Sequence, residues 1–420
     1  MTTTDIDTPE AADAAERETV RARRNFLGLA VFAAAAGPIL TEAGLAHAAA
    51  ADAPVPRGMA LHGQSHTPPP IDAVMINANE NPLGPSKAAL QALIDIAPTG
   101  GRYDLRGEQM ALIKVFAEQH GLKPGNVAVY AGSSEPLHYS VLAFTSPSKG
   151  LVMGDPAYEA PMAAASVSGA KLTKVPLTPT YTHDVKAMVA ADPNAGVIYI
   201  CNPNNPTGTI TPKADIVWAL ENKPKGAILV VDEAYLHLTN EPDCLDLVAE
   251  GKDLIVLRTF SKIYGMAGIR AGFAVGRPDL LGKLQAYGWN AMPVTALAAA
   301  RASLEDPQLV PIRRKIIGDT RTQTVAWLKG NGYKVLGDPQ TNCFMIDTGR
   351  NGRQVMAAMR EKKILIGRTW PIWPNAVRIT VGTPEEMAKF QVAFKEVMSA
   401  PPAMAFNDPG PQRMSFPHYS

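Results

Sequence analysis

From Val127 to Val275 the chain repeats one pattern: a run of three to five mostly apolar residues, then a longer stretch of helical character. The runs are Val127–Ala131, Leu151–Met153, Lys171–Val175, Val197–Cys201, Ala227–Val231, Leu254–Arg258 and Gly272–Val275. Most are continuously apolar rather than alternating, and continuous hydrophobicity means burial on both faces of a strand. The expected fold class is therefore α/β, with a mostly parallel seven-stranded sheet covered by helices. A chain of 420 residues that is 46% hydrophobic and 19% charged can bury such a core and a second, smaller domain; it is neither disordered nor fibrous.

The flanking segments supply that smaller α+β domain. The turn-rich loop Asn77-Ala78-Asn79-Glu80-Asn81-Pro82 leads into a helix expected over 86–96, with Ser86 as its cap, and a second helix is expected over 107–120. Beyond the sheet, helices are expected at 278–286, 294–305 and 310–329. Strands then follow at 334–336, 343–346, 364–366 and 377–381, with one helix ending at Arg360 and another over 384–398. The division that results is 71–126 as an N-terminal arm and part of the small domain, 127–330 as the large domain, and 331–398 as the rest of the small one.

Residues 1–48 read differently. Arg23-Arg24, then Phe26-Leu27 and an apolar run to Leu40, have the shape of a twin-arginine export signal, and Ala46-His47-Ala48 is a cleavage pattern. The run is shorter than the roughly 20 residues needed to span a bilayer, so no stable membrane anchor is expected. The twin-arginine export machinery is an expected partner, and the expected location is periplasmic or exported, or cytoplasmic if the leader is unused. The Pro-rich segment 49–70 reads as a linker and 399–420 as an unstructured tail. A formal net charge of +1 gives no field for nucleic acid, which points to a small-molecule partner. Cys201, Cys244 and Cys343 are too few and too scattered for a disulfide framework or a metal site; Cys201 and Cys343 read as core residues.

In an α/β sheet, ligands bind beyond the C-terminal ends of the strands. Ala227–Val231 opens there into Asp232-Glu233-Ala234-Tyr235. A carboxylate at the mouth of an apolar strand is costly unless a cation meets it, so Asp232 is either a helix cap or the counter-ion of a group such as a protonated pyridine nitrogen. Val197–Cys201 opens into the stiff turn Asn202-Pro203-Asn204-Asn205-Pro206-Thr207-Gly208, where Asn205 is placed to hold an amide against a ring substituent. Val127–Ala131 gives way to Gly132-Ser133-Ser134-Glu135 at a helix start, and free N–H groups with a helix dipole suit a phosphate. Lastly, Thr259-Phe260-Ser261-Lys262-Ile263-Tyr264-Gly265 sets Lys262 among hydroxyls and glycines, with Arg270 behind it, the look of a Schiff-base lysine. Each segment alone has an ordinary reading, since Asn, Pro and Gly make turns anywhere and most lysines are exposed.

In this order and spacing, the four segments resemble the fold-type I aminotransferases that use pyridoxal 5′-phosphate. The histidinol-phosphate aminotransferase-like branch is most similar, because it also carries Asn79-Glu80-Asn81-Pro82, Arg102-Tyr103 and Arg378-Ile379-Thr380-Val381-Gly382-Thr383. The resemblance covers about residues 71–398. It implies that Lys262 holds the cofactor covalently and, once displaced by substrate, serves as the base. Asp232 would keep the pyridine nitrogen protonated, while Asn205 and Tyr235 would bond the ring's 3′ oxygen. Ser133, Ser134, Ser261 and Arg270 would hold the phosphate, Tyr158 would stack on the ring, and Tyr103 would reach the cofactor phosphate of the other subunit of a homodimer. Arg378 would bind a substrate carboxylate through its fork. Arg368 is the candidate for a distal anionic group, and Asn79 and Asn342 are candidates for the pocket wall.

The implied reaction moves an amino group from an amino acid or amino-alcohol phosphate to a 2-oxo acid such as 2-oxoglutarate. Ser134 departs from the pattern, since many relatives carry an acidic residue there. The phosphate cup survives that change because its donors are largely backbone amides. A leader is at odds with histidine synthesis, so the reaction class is more firmly implied than the substrate. Two alternatives use other chemistry: an amino acid phosphate decarboxylase with the same lysine and aspartate, and an exported two-lobed solute-binding protein that needs neither. No motif for a dinucleotide, a nucleoside triphosphate, a zinc protease or a serine hydrolase is present.

Overall fold

The computed structural model describes residues 72–401 apart from Leu105, Trp289 and Asn290. The leader, the linker and all but the first three residues of the tail lie outside the described residues. The strands are β1 (Val74–Ile76), β2 (Val127–Tyr130), β3 (Gly150–Asp155), β4 (Leu172–Pro176), β5 (Ala195–Cys201), β6 (Ile228–Asp232), β7 (Leu254–Thr259), β8 (Gly272–Gly276), β9 (Lys334–Leu336), β10 (Cys343–Asp347), β11 (Ile364–Ile366) and β12 (Ala376–Thr380).

The seven runs form one sheet in the order β2-β8-β7-β6-β5-β3-β4. Only β8 runs against its neighbours, β2 and β7; every other pair is parallel. Both faces are buried, as continuous hydrophobicity requires. On β5, Ile198 and Ile200 enter one core cluster, and Val197, Tyr199 and Cys201 enter another on the opposite face. The same split separates Leu229 and Val231 from Ile228 and Val230 on β6. The strands run further than their apolar residues, because backbone pairing does not stop where hydrophobicity does. Asp232 still pairs with Cys201 and Leu257, and Thr259 with Gly272. One edge of the sheet thus ends in polar residues held by the backbone ladder.

The second layer joins the two ends of the described chain. β1 pairs in parallel with β11, matching Ile76 to Ile366, and β10 lies antiparallel between β9 and β12. The helix Lys87–Ile96 starts where expected, since Ser86 Oγ accepts from the Ala89 N–H at 3.1 Å, and it packs against the helix Val294–Leu304. The last helix, Pro384–Ser399, opens with a reciprocal capping box between Thr383 and Glu386. Among the described residues no helix is long and apolar enough to cross a membrane.

Candidate active site

Tyr130, Gly272 and Thr259 lie side by side in register at the C-terminal ends of β2 and β7, so the loops leaving those strands converge. Ser133 caps the helix Ser134–Phe144 without a side-chain bond to it, which leaves first-turn N–H groups available. Arg270 spans the gap: Nη2 donates to the Ala131 carbonyl at 2.8 Å, and Nη1 donates to Ser261 Oγ at 3.3 Å and to the Ala267 carbonyl at 2.7 Å. Thr259 Oγ1 donates to Ser261 Oγ at 3.0 Å. Two glycines allow this closeness. A Cβ on Gly132, whose φ is +94°, would sit 2.3 Å from Arg270 Nη2, and one on Gly272 would sit 2.8 Å from the Ser133 nitrogen. A guanidinium, two or more hydroxyls and a helix N-terminus meet in one cradle, the donor set of a phosphate site.

Further along the same edge, Asp232 is only 2% exposed. Its Oδ2 accepts from the Tyr199 hydroxyl at 3.0 Å and its Oδ1 from the Ala234 N–H at 3.1 Å, and among the described residues no ion pair includes it. Burial pushes its carboxyl up to about 6, against those hydrogen bonds and the charge of Lys262. Burial, seconded by the Arg378 guanidinium, pulls the Lys262 amine down to about 8. Lys262 Nζ lies 5.4 Å from the centre of the Tyr235 ring, whose hydroxyl accepts from Asn79 Nδ2 at 3.1 Å. Asn79 is fixed in turn, its N–H donating to Thr380 Oγ1 at 2.9 Å and its carbonyl accepting from Asn342 Nδ2 at 3.1 Å. Cys343 is buried as expected, and its sulfur also accepts from Asn79 Nδ2 at 3.2 Å.

Arg378 is 4% exposed and donates from Nη1 to Asn205 Oδ1 at 2.9 Å and from Nη2 to the Asn77 carbonyl at 2.7 Å. That engages the acceptor end of Asn205 and leaves its amide nitrogen to donate elsewhere. Arg368 pairs with Glu159 at 2.5 Å. The two guanidinium carbons lie 4.6 Å (Arg368) and 5.6 Å (Arg378) from the centre of the Trp370 ring. Tyr158 joins this group to the cradle through a hydrogen bond with Ser134 Oγ at 3.2 Å. Tyr103 stands apart, 84% exposed. Tyr199, Glu159 and Trp370 were not singled out from the sequence. Tyr199 carried one signal, a phenol within a strand of otherwise small or aliphatic residues; Glu159 carried none, because its partner Arg368 is distant in the chain, and Trp370 none beyond its place between Arg368 and Arg378.

The sequence profile of the family described as aminotransferase class I and II matches residues 71–394. The chain belongs to the class I and II aminotransferases. It is similar to a histidinol-phosphate aminotransferase of Moorella thermoacetica, 32% identical over 78% of this chain and 86% of that protein. It is also similar to an aromatic amino acid aminotransferase of Rhodococcus jostii, 33% identical over 76% of this chain and 88% of the relative. The solved histidinol-phosphate aminotransferase of Sinorhizobium meliloti in complex with pyridoxal-5′-phosphate superposes with a TM-score of 0.71 at 26% identity, covering 78% of this chain and 91% of that one.

This aminotransferase uses pyridoxal 5′-phosphate, and its residues fit that cofactor. The buried Asp232 carboxylate, lacking a cation of its own, calls for one such as a protonated ring nitrogen. The cradle of Ser133, Ser134, Ser261 and Arg270 would take the phosphate, and Lys262, next in the chain to Ser261, feels the charge of Arg378. When bound, the cofactor supplies a ring that withdraws electrons from the substrate's α-carbon. The chain's own part is to position and to move protons. With its amine held near 8, Lys262 has a neutral fraction at physiological pH, the form that can bond a carbonyl or accept a proton.

Proposed function

We propose that the enzyme transfers an amino group from an amino acid, or an amino-alcohol phosphate, to 2-oxoglutarate, with Lys262 as base and Asp232 as counter-ion of the ring. Asn205 and Tyr235 hold the ring's 3′ oxygen, Tyr158 stacks on its face, and Asn79 and Asn342 fix the wall behind it. The observation that carries the reading is the buried Arg378 fork, held open by Asn205 and Asn77 and close enough to Lys262 to lower its amine. A bidentate cation beside the reacting amine is the geometry that receives an α-carboxylate. A panel of amino donors, including histidinol phosphate and the aromatic amino acids, tests this with 2-oxoglutarate as acceptor. Glutamate should form in step with loss of the donor. Release of carbon dioxide without consumption of 2-oxoglutarate would instead identify a decarboxylase.

The homodimer and the export route belong to the same proposal. An exposed Tyr103 supports a site completed across a subunit interface, and Arg23-Arg24 before an apolar run supports twin-arginine export of the folded, loaded enzyme. Replacing Arg23 and Arg24 by lysines should remove mature protein from the periplasm; an unchanged distribution would exclude the route.

A further inference from the structure

Glu159 is the N-cap residue of the helix Ala160–Val167, yet its side chain makes no capping bond. Its carboxylate pairs instead with Arg368 at 2.5 Å, and the two side chains are 20% and 28% exposed. Arg368 and Arg378 rest against the same Trp370 indole, and the Arg368 guanidinium raises the cost of the charge on Arg378. The field of Glu159 also reaches Arg378, where it favours the charged form. Glu159 is therefore the resident counter-ion of a pocket that holds two arginines.

The charge count then restricts the ligand. Lys262 and Asp232 face the cofactor; the cluster of Arg378, Arg368 and Glu159 has two cations and one anion, a net single positive charge. One substrate carboxylate on Arg378 cancels it. A second anion must either displace Glu159 from Arg368 or share it, and either way a surplus negative charge is left in a half-buried site. We propose that Glu159 is a specificity-determining residue that competes with a substrate's distal anion for Arg368, so that the site favours substrates with an uncharged side chain over those with a distal carboxylate or phosphate. The inference rests on the transaminase reading, narrows its amino donors to those such as neutral aromatic amino acids, and makes 2-oxoglutarate, whose distal carboxylate enters the same site, an acceptor that binds weakly until Glu159 gives way.

The test compares glutarate, which has a distal carboxylate, with 3-phenylpropionate, which does not. Binding to the enzyme loaded with pyridoxal phosphate is measured by calorimetry for wild type, Glu159→Gln and Glu159→Asp. Glu159→Gln should tighten glutarate about tenfold and leave 3-phenylpropionate within about twofold. Glu159→Asp, which keeps the charge on a shorter stem, should fall between. In turnover, Glu159→Gln should lower KM for anionic substrates more than for an uncharged donor. If both ligands change by the same factor, Glu159 is only structural; if glutarate weakens, its carboxylate helps rather than competes. Either result overturns the inference, as does an unchanged glutarate affinity in both variants. Borohydride treatment of the same preparations separates the two levels. A Lys262 peptide without the cofactor's mass refutes the transaminase reading, whereas a labelled peptide with an unmoved glutarate ratio refutes this inference alone.

Discussion

Asp232→Asn should make the cofactor-free protein more stable while leaving it unable to turn over. The buried carboxyl titrates near 6 instead of the ordinary 3.8. At about 1.4 kcal/mol per tenfold change in acidity, keeping it ionised costs about 3 kcal/mol of folding stability. Below pH 3.8 both folded and unfolded chains are protonated and there is no cost. Between 3.8 and 6 the unfolded chain ionises first and stability falls; above 6 the full cost is present. Asparagine removes the charge but has one acceptor oxygen, so it accepts from Ala234 while its amide nitrogen donates to the Tyr199 hydroxyl, a net loss of about 1 kcal/mol. The variant should thus be more stable by about 2 kcal/mol at pH 8, and by about zero near pH 4.5, where only about 1 kcal/mol of the cost has developed. Urea unfolding of both cofactor-free proteins at the two pH values measures this. A variant no more stable than wild type at pH 8, or a difference independent of pH, would refute the argument that Asp232 is an anion awaiting a cation. With cofactor present the order should reverse, because the ring nitrogen supplies that cation to the wild type alone.

Cofactor attachment to the cofactor-free enzyme, followed by absorbance, should accelerate with rising pH and level off above about 8, since the neutral Lys262 amine is the reactive form; a midpoint near the ordinary 10.5 would contradict a buried, arginine-flanked amine. Gly132→Ala should weaken cofactor binding by about tenfold or more and cost about 1–3 kcal/mol of stability, because the new methyl meets Arg270 Nη2 at 2.3 Å on a backbone with φ of +94°. Equilibrium dialysis against pyridoxal phosphate would detect an unchanged affinity. Mixing Tyr103→Ala chains with Lys262→Ala chains should restore activity that neither has alone, since a hybrid dimer carries one site with both residues intact; no recovery after verified subunit exchange would remove Tyr103 from the partner's site.

Much of the fold was legible because its determinants are local. Short apolar runs, most of them continuous, marked all seven strands of the main sheet, and Ser86, a residue with a capping oxygen, marked a helix start to the residue. The ends of β6 and β7 were read short, since Asp232 and Thr259 are polar but remain paired in the ladder. The antiparallel β8 was not legible either. Gly272–Gly276 is as apolar as the parallel strands of the sheet, and direction is set by where the preceding loop can cross, not by composition.

By itself, the sequence determined a sheet buried on both faces and the polar loops at one edge of it, because burial pattern and turn chemistry are written residue by residue. Which of those loop residues face each other was decided only by tertiary structure. Asn79 meets Thr380 across 301 positions, and Arg378 meets Asn205 across 173. The same closure set the chemistry: Asp232 rises to about 6 and Lys262 falls to about 8 because folding removes their water. Glu159 is the clearest case, a carboxylate next to a helix start that any local reading would make a cap. Only the approach of Arg368, more than 200 residues further on, made it the counter-ion of an arginine.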